Sequence, residues 1–225
     1  LEICQHAYDS GKPIFIDAED SWIQDAIDRL ATEMMERFNR ERPIVFNTLQ
    51  LYRKDRLNFL KESRRAASAN GYFLGVKLVR GAYMEKERAR AEEMGYPSPI
   101  HDTKEATDAD FDAAIEYCLK HHETVAFVAG THNEESTQKL ARRMHELGIP
   151  PDHPNVYFSQ LYGMGDSLSY VLAKNKYNVS KYVPYGPVAD AVPYLIRRAE
   201  ENTSVAGHVN REVESIEKEL KRRKI

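Results

Sequence analysis

The sequence has little cysteine, no long apolar run and no marked excess of either charge, and each shortage excludes a class of protein. Its two cysteines, Cys4 and Cys118, lie far apart without metal-ligand spacing, so we expect free thiols in a reducing compartment. No apolar run approaches the roughly 18 residues that a membrane-spanning helix needs. A formal net charge of -3 gives no general attraction for nucleic acid. What the chain does have is a hydrophobic content of 42%, enough for a substantial core.

Short apolar runs alternate with longer helical patterns along the chain. The strand-like runs cover 13–18, 43–50, 73–83, 124–132, 155–165 and 178–186. The helical patterns cover 21–38, 53–69, 105–121 and 134–148, with a charged helix following residue 83. Such alternation predicts a parallel sheet covered by helices, and both an open doubly wound sheet and a closed barrel fit it. Because no linker or repeat interrupts the pattern, we predict one domain over 1–225, ending in a charged helix over 210–224.

Polar side chains collect where the predicted strands end. They are Asp17, Asn47, Gln50, Lys77, Arg80, Thr131, His132, Asn133, Ser159, Gln160, Leu161 as the apolar exception, and Tyr182. In parallel α/β folds the carboxyl ends of the strands carry the functional residues, so this edge is where we expect a site. Purely structural roles also remain open for these residues at this point. Asp17 can cap the following helix, and the tyrosines can be core residues.

The sequence lacks the usual signatures of phosphate, metal and hydrolase chemistry. It contains no Walker-type loop and no Gly-x-Gly-x-x-Gly fingerprint, and "YGMGD" (162–166) is a weak substitute. No histidine has a partner at metal-ligand spacing, so no metal is predicted, and no Gly-x-Ser-x-Gly elbow is present. Cations, tyrosines, one aspartate and several amides remain. This set suits an anionic organic ligand or a large aromatic cofactor.

Five stretches in order resemble the proline dehydrogenase family, in its monofunctional form. They are "KLVRGAYMEKERARAEEMGYPSPI", "THNEES", "YFSQLYGMGD", "KYVPYGPV" and "PYLIRRAEEN". The resemblance runs from about Asp17 to Asn202 and is specific in combination. It implies a distorted (βα)8 TIM-type barrel with about six βα units in this chain, the first strands lying upstream of Leu1. It also implies FAD-dependent oxidation of L-proline to Δ1-pyrroline-5-carboxylate, the first step of proline catabolism to glutamate.

The resemblance assigns roles residue by residue. It implies that Asp17 and Lys77 are catalytic, with Lys77 next to the flavin N5 atom, where many bacterial relatives have arginine. The implied FAD-contacting residues are Ala18, Gln50, Lys77, Arg80, Gly81, Ala82, Thr131 and His132. The implied substrate-binding residues are Arg197, Arg198, Glu201, Tyr83, Leu161 and Tyr182.

Within the substrate set, the resemblance gives each group a task. Arg197 and Arg198 bind the substrate carboxylate, and Glu201 lies three and four residues on, within helical reach of both. Without the resemblance, the arginine pair is better explained as a solvated face. The hydroxyproline-oxidising branch carries serine at the Tyr182 position, so tyrosine there favours proline.

Partners and location follow from the resemblance in the same way. It implies non-covalently bound FAD, a quinone electron acceptor, and a cytoplasmic protein or one peripheral on the inner face of an energy-transducing membrane. Two alternatives stay open: a dehydrogenase of hydroxyproline or a related cyclic imino acid, and a non-catalytic ligand-binding barrel fragment. Comparing how fast proline and hydroxyproline reduce the flavin distinguishes the leading prediction from the first alternative. Absence of flavin binding identifies the second alternative.

Overall fold

The computed structural model describes residues 1–204 and 217–223, except for the side chains of 197 and 199–204. The strands are β1 (Ile14–Ile16), β2 (Val45–Gln50), β3 (Leu74–Val79), β4 (Val125–Gly130), β5 (Val156–Leu161) and β6 (Val179–Tyr182). The helices are α1 (Glu2–Asp9), α2 (Ser21–Phe38), α3 (Arg56–Asn70), α4 (Met84–Met94), α5 (Lys104–Lys120), α6 (Glu134–Glu146), α7 (Asp166–Lys174) and α8 (Val188–Ser204). A further helical stretch covers 217–223, and the rest of the predicted terminal helix lies outside the described residues.

The six strands form one parallel sheet whose spatial order is the sequence order, β1 to β6. A doubly wound sheet would reverse direction at a switch point, and this order has none. Because parallel crossovers are right-handed, an unreversed order places the connecting helices on one face. The sheet is therefore wound as part of a barrel, which decides between the two architectures that the sequence left open.

The face of the sheet that packs against the helices forms the main core. Alternate strand residues such as Val45, Leu49, Val76, Leu78 and Phe127 join helix residues such as Phe111, Ile115 and Leu140 in one buried cluster. The opposite, inner face has a small apolar base of Phe46, Ala126 and Val128, with Tyr157 packed against it. By the alternation along each strand, the inner face above this base includes the polar residues Thr48 and Lys77.

The strands differ in how deeply they are buried. All residues of β2 are buried, as is typical of a parallel strand covered on both faces. In β1 and β6 exposed residues alternate with half-buried ones. Burial is thus nearly continuous in the central strands and incomplete in these two.

Local signals explain several element boundaries. Thr103 and Asn133 cap α5 and α6, because their side chains accept from the backbone N–H groups of Ala106 and Ser136. Gly71 ends α3 in the left-handed conformation, at φ 69°, that glycine adopts without strain. The two N-caps fix where α5 and α6 begin, and Gly71 fixes where α3 ends before β3.

Two compact units are distinguished, Leu1–Tyr182 and Val183–Ile225. The first contains the whole sheet and helices α1 to α7. The second contains α8, in which Pro193 lies in the second turn of the helix. That the whole of 1–225 is a single domain stays a prediction.

Candidate active site

The inner face of the sheet brings Asp17 and Lys77 together. Asp17 follows the last residue of β1, Lys77 lies in β3, and Thr48 of β2 lies between them, paired with Lys77 across the sheet. The ammonium of Lys77 is in contact with Oδ1 of Asp17, and the Thr48 hydroxyl donates to the same oxygen at 3.3 Å. The side chains of Lys77 and Asp17 are 22% and 58% exposed, so the pair is open to a ligand.

An apolar floor supports this pair. Phe15 packs against Phe46 at a tilt of 45° with ring centroids 5.1 Å apart, and the Lys77 ammonium lies 5.7 Å from the Phe15 centroid. Gly130 of β4 leaves room for the neighbouring strand, since an added Cβ would come within 3.1 Å of the Val79 side chain. A cation above an aromatic floor is suited to a flat, electron-rich ligand.

The β3–α4 loop (80–83) closes over the carboxyl end of β2. The Ala82 N–H donates to the Gln50 side-chain oxygen at 3.1 Å, and the Gln50 amide nitrogen donates to the Glu19 carbonyl at 2.9 Å. Gly81 has φ 141°, and a Cβ there would overlap the Tyr52 ring at 2.4 Å. Only glycine allows this close approach.

Arg80 points from this loop towards α5 and α6. Its guanidinium donates to Asp108 at 2.5 Å, to the Thr131 hydroxyl at 2.9 Å and to the Ser136 hydroxyl at 3.0 Å, and it lies over the Phe111 ring. Partial burial by itself would raise the pKa of Asp108, but hydrogen bonds from Lys104 and Arg80 outweigh it and hold the pKa below its usual range. Arg80 therefore fixes the Thr131 hydroxyl.

The ends of β4, β5 and β6 supply the remaining predicted side chains. The Leu161 N–H approaches Nε2 of His132 at 3.5 Å, and Leu161 is paired with Tyr182 across the sheet. Tyr182 is 47% exposed and Leu161 is 7% exposed. Ala18 lies in the β1–α2 loop (17–20) and is half-buried. These residues share the carboxyl edge of the sheet with Lys77, as the sequence predicted.

Three strand-end residues of the sequence analysis face the helices instead. Asn47 donates to Asp28 of α2 at 2.8 Å, the Gln160 oxygen accepts from Ser169 of α7, and Asn133 caps α6. Period-two alternation along β2 and β5 would have separated Asn47 and Gln160 from their inward-facing neighbours. The same alternation would have identified Thr48, which the sequence analysis missed.

The predicted carboxylate-binding residues belong to α8. Arg198 lies with its guanidinium 5.1 Å from the centre of the Tyr194 ring, one helical turn before it. The side chains of Arg197 and Glu201 lie outside the described residues. Their predicted contact with each other and with a ligand stays a prediction.

Within 1–204 and 217–223, no helix is long and apolar enough to cross a membrane. In the same part of the chain, no three or more His, Cys, Asp or Glu side chains cluster as they would around a metal ion.

Comparison with known proteins identifies the family. The family model described as Proline dehydrogenase matches residues 1–211. The chain belongs to the proline dehydrogenase family. Proline dehydrogenase 1, mitochondrial, of Homo sapiens is 43% identical over 224 residues, and the Caenorhabditis elegans protein of that name is 40% identical over 228 residues. The family predicted from the five sequence stretches is thus confirmed.

The alignments also define how much of each relative is matched. They cover 98% and 99% of this chain but 37% of the human protein and 37% of the C. elegans protein. Among solved structures, proline utilization A of Bdellovibrio bacteriovorus superposes with a TM-score of 0.84 at 24% identity, covering 90% of this chain and 21% of that one. This similarity confirms the α/β barrel fold.

Proposed function

We propose that this proline dehydrogenase family member oxidises L-proline to Δ1-pyrroline-5-carboxylate with FAD. The single observation that carries the proposal is the Asp17–Lys77 pair on the open inner face of the sheet, at the carboxyl edge. The membership of the family supports the substrate, and the two matched relatives are themselves named proline dehydrogenases. The position of this pair supports the carboxyl edge of the inner face as the proposed location of the chemistry.

The residues at this edge fit a flavin. Lys77 presents a cation above the Phe15 ring, an arrangement that suits a flat, electron-rich ring system. We assign Lys77, Gln50, Ala18 and Ala82 to the flavin end. Further FAD contacts are assigned to Arg80, Gly81, Thr131 and His132.

Bound FAD would supply the acceptor for a hydride from the substrate ring carbon next to nitrogen. In this assignment Lys77 places positive charge where negative charge accumulates during hydride transfer, which is the most effective use of a preorganised charge. Asp17 holds the ammonium of Lys77 in position, and Thr48 holds Asp17. The substrate nitrogen must be unprotonated so that its lone pair assists departure of the hydride.

The protein contributes chiefly by orienting the substrate. Arg197 and Arg198 are proposed to bind the proline carboxylate, with Glu201 directing them, because guanidinium groups pair with carboxylates in a fixed bidentate geometry. Tyr83, Leu161 and Tyr182 are proposed as walls of the ring pocket. Orientation of this kind can supply about 7–11 kcal/mol of a barrier in ideal systems.

The electron acceptor and the location belong to the proposal as well. A membrane quinone is the proposed acceptor, reached by peripheral association. The relatives named as mitochondrial favour the inner face of an energy-transducing membrane over a cytoplasmic location.

The test is anaerobic mixing of the purified flavin-loaded protein with L-proline, 4-hydroxy-L-proline or L-pipecolate in parallel. We expect L-proline to bleach the flavin fastest, giving a product two hydrogens lighter by mass spectrometry. Faster bleaching by hydroxyproline than by proline would show that the protein is a hydroxyproline dehydrogenase instead. Protein that binds no flavin would identify a non-catalytic barrel.

A further inference from the structure

A buried carboxylate outside the proposed catalytic set joins the two loops that frame the site. Glu87 lies in the first turn of α4, is fully buried, and follows the β3–α4 loop by four residues. Its Oε1 accepts from the Ser21 backbone N–H at 2.6 Å, and its Oε2 accepts from the Ser21 hydroxyl at 2.7 Å. Ser21 is the first residue of α2 and follows the β1–α2 loop.

Electrostatics explain why a charged group is stable in this position. The side chain of Asp20, the residue at the N-cap position of α2, makes no capping hydrogen bond. The Glu87 carboxylate takes this function from another helix, and the positive end of the α2 dipole favours its negative charge. Burying a carboxylate costs free energy unless it is fully hydrogen-bonded, and these two short bonds offset that cost.

Two weaker contacts run parallel to this one. Tyr83 donates to Oε2 of Glu19 at 2.9 Å, and Lys86 forms an ion pair with Asp20 at 2.7 Å. The Lys86 side chain is 58% exposed, so solvent screens that pair. The Glu87–Ser21 contact is the buried member of the three and is screened least.

The joined loops are the ones that carry the proposed chemistry. The β1–α2 loop begins with Asp17, and the β3–α4 loop ends with Tyr83, whose carbonyl accepts the Glu87 backbone N–H at 2.9 Å. A shift of either loop would move Asp17 relative to Lys77, or Tyr83 relative to the substrate.

We infer that Glu87 is a positioning residue for proline oxidation. It acts through Ser21 to hold the β1–α2 and β3–α4 loops in fixed positions relative to each other. The inference rests on the proposed function and deepens it. Glu87 touches neither substrate nor cofactor in this account, so its effect on rate is indirect.

The test compares three variants in the flavin-loaded protein. Glu87→Ala removes both acceptors. Ser21→Pro removes both donors, yet proline is favourable at the first position of a helix, and the extended backbone of Asp20, at ψ 147°, suits a residue before proline. Glu87→Gln can still accept from the Ser21 N–H and donate to its hydroxyl. Glu85→Ala removes a carboxylate from the exposed side of the same turn and is the matched control.

The first readout is the anaerobic rate of flavin reduction by L-proline per bound flavin. We expect Glu87→Ala and Ser21→Pro each to slow it by on the order of 10- to 100-fold, the range for small misplacements of reacting groups. The double variant should be no slower than the slower single variant, because both changes remove one contact. Glu87→Gln should recover much of the rate, and Glu85→Ala should keep all of it.

The second readout is amide hydrogen exchange over 17–20 and 80–83, which needs no substrate. Glu87→Ala and Ser21→Pro should both speed exchange in both loops, and Glu87→Gln should give an intermediate exchange rate. Unchanged reduction rates per flavin together with a lowered melting temperature would overturn the inference and leave Glu87 a purely structural residue. Failure of L-proline to reduce the flavin of the unaltered protein would instead refute the proposed function. The amide exchange rates of the two loops would still show whether the Glu87–Ser21 contact holds them.

Discussion

Two aspartate–cation pairs stand on opposite faces of the same sheet, and they differ in burial and in the number of hydrogen bonds around them. On the helix side, Arg56 pairs with Asp28 at 2.6 Å, and both side chains are nearly inaccessible, at 5% and 7% exposure. On the inner face, Lys77 pairs with Asp17 at 22% and 58% exposure. We therefore expect the helix-side pair to stabilise the fold and the inner pair to face a ligand.

The surroundings of the helix-side pair explain its permanence. Asp28 also accepts from Gln24 at 2.9 Å and from Asn47 at 2.8 Å, and Arg56 also binds Asp55. A charge pair saturated in this way joins α2, α3 and β2. The inner pair has an open side instead, and openness together with charge is what a ligand site needs.

The largest expected effect comes from breaking the helix-side pair. Arg56→Met leaves Asp28 buried without its cation, which costs about 3–5 kcal/mol of unfolding free energy in comparable cases. The flavin reduction rate per bound flavin should change little. Urea denaturation followed by circular dichroism measures the stability, and a loss below about 1 kcal/mol would show that the pair is dispensable.

The inner pair should respond in the opposite way. Lys77→Met should slow flavin reduction by L-proline about 100- to 1000-fold, the range seen when one preorganised electrostatic group is lost. Its unfolding free energy should stay close to that of the unaltered protein, because the Lys77 ammonium is partly solvated. Single-turnover kinetics measure the rate, and Lys77→Arg serves as the charge-retaining control.

The arginines of α8 should affect binding more than chemistry. Arg198→Met and Arg197→Met should each weaken proline binding by about 1.5–3 kcal/mol, the range for a hydrogen bond to a charged group. Flavin content should be retained. Equilibrium titration with a non-oxidisable carboxylate analogue measures the affinity, and loss of flavin with unaltered affinity would refute the assignment.

Acid should weaken the helix-side network. Partial burial by itself would raise the pKa of Asp55, but hydrogen bonds and charges from Arg56 and Arg53 outweigh it, and the pKa lies below its ordinary value of 3.8. A lowered pKa gives stability that is present above pH 3.8 and lost as the pH falls through the folded-state value. The stability difference between the unaltered protein and Arg56→Met should therefore shrink below that pH. A difference that stays constant into acid would contradict this.

Breaking a solvent-exposed ion pair should have the smallest effect on the unfolding free energy. Arg37 and Glu33 pair on the surface of α2 at 2.9 Å, and both side chains are more than half exposed. Arg37→Gln should cost about 0.3–0.5 kcal/mol at most. The same denaturation experiment measures it.

Periodicity and position predicted much of this fold from the sequence. The helix over 21–38 was predicted with the bounds that the structure shows, and all six strand runs contain a strand. Strand bounds were set too wide, because polar strand-end residues such as Asp17 and Thr131 have the same local pattern as the loops that follow. Helix α1 was missed because its eight residues are shorter than the window of about 11–18 residues over which helical periodicity is recognised.

The candidate site was predictable in part. Strand ends identified Asp17, Lys77 and Gln50, which the structure places at one edge of the sheet. The Asp28–Arg56 network and the Glu87–Ser21 contact were not predicted. Both join residues 28 or more positions apart, and local pattern carries no information about such pairings. Which face a strand-end residue occupies also depends on register, and this separated Asn47 from Gln50.

The most direct test of the central claim is single-turnover reduction of bound flavin by L-proline in the unaltered protein, Lys77→Met and Arg56→Met, measured side by side. If the inner face is the site of oxidation, Lys77→Met will be slowed about 100-fold or more, while Arg56→Met will keep the unaltered rate per bound flavin. Equal rates in the unaltered protein and Lys77→Met, or slowing confined to Arg56→Met, would contradict the account.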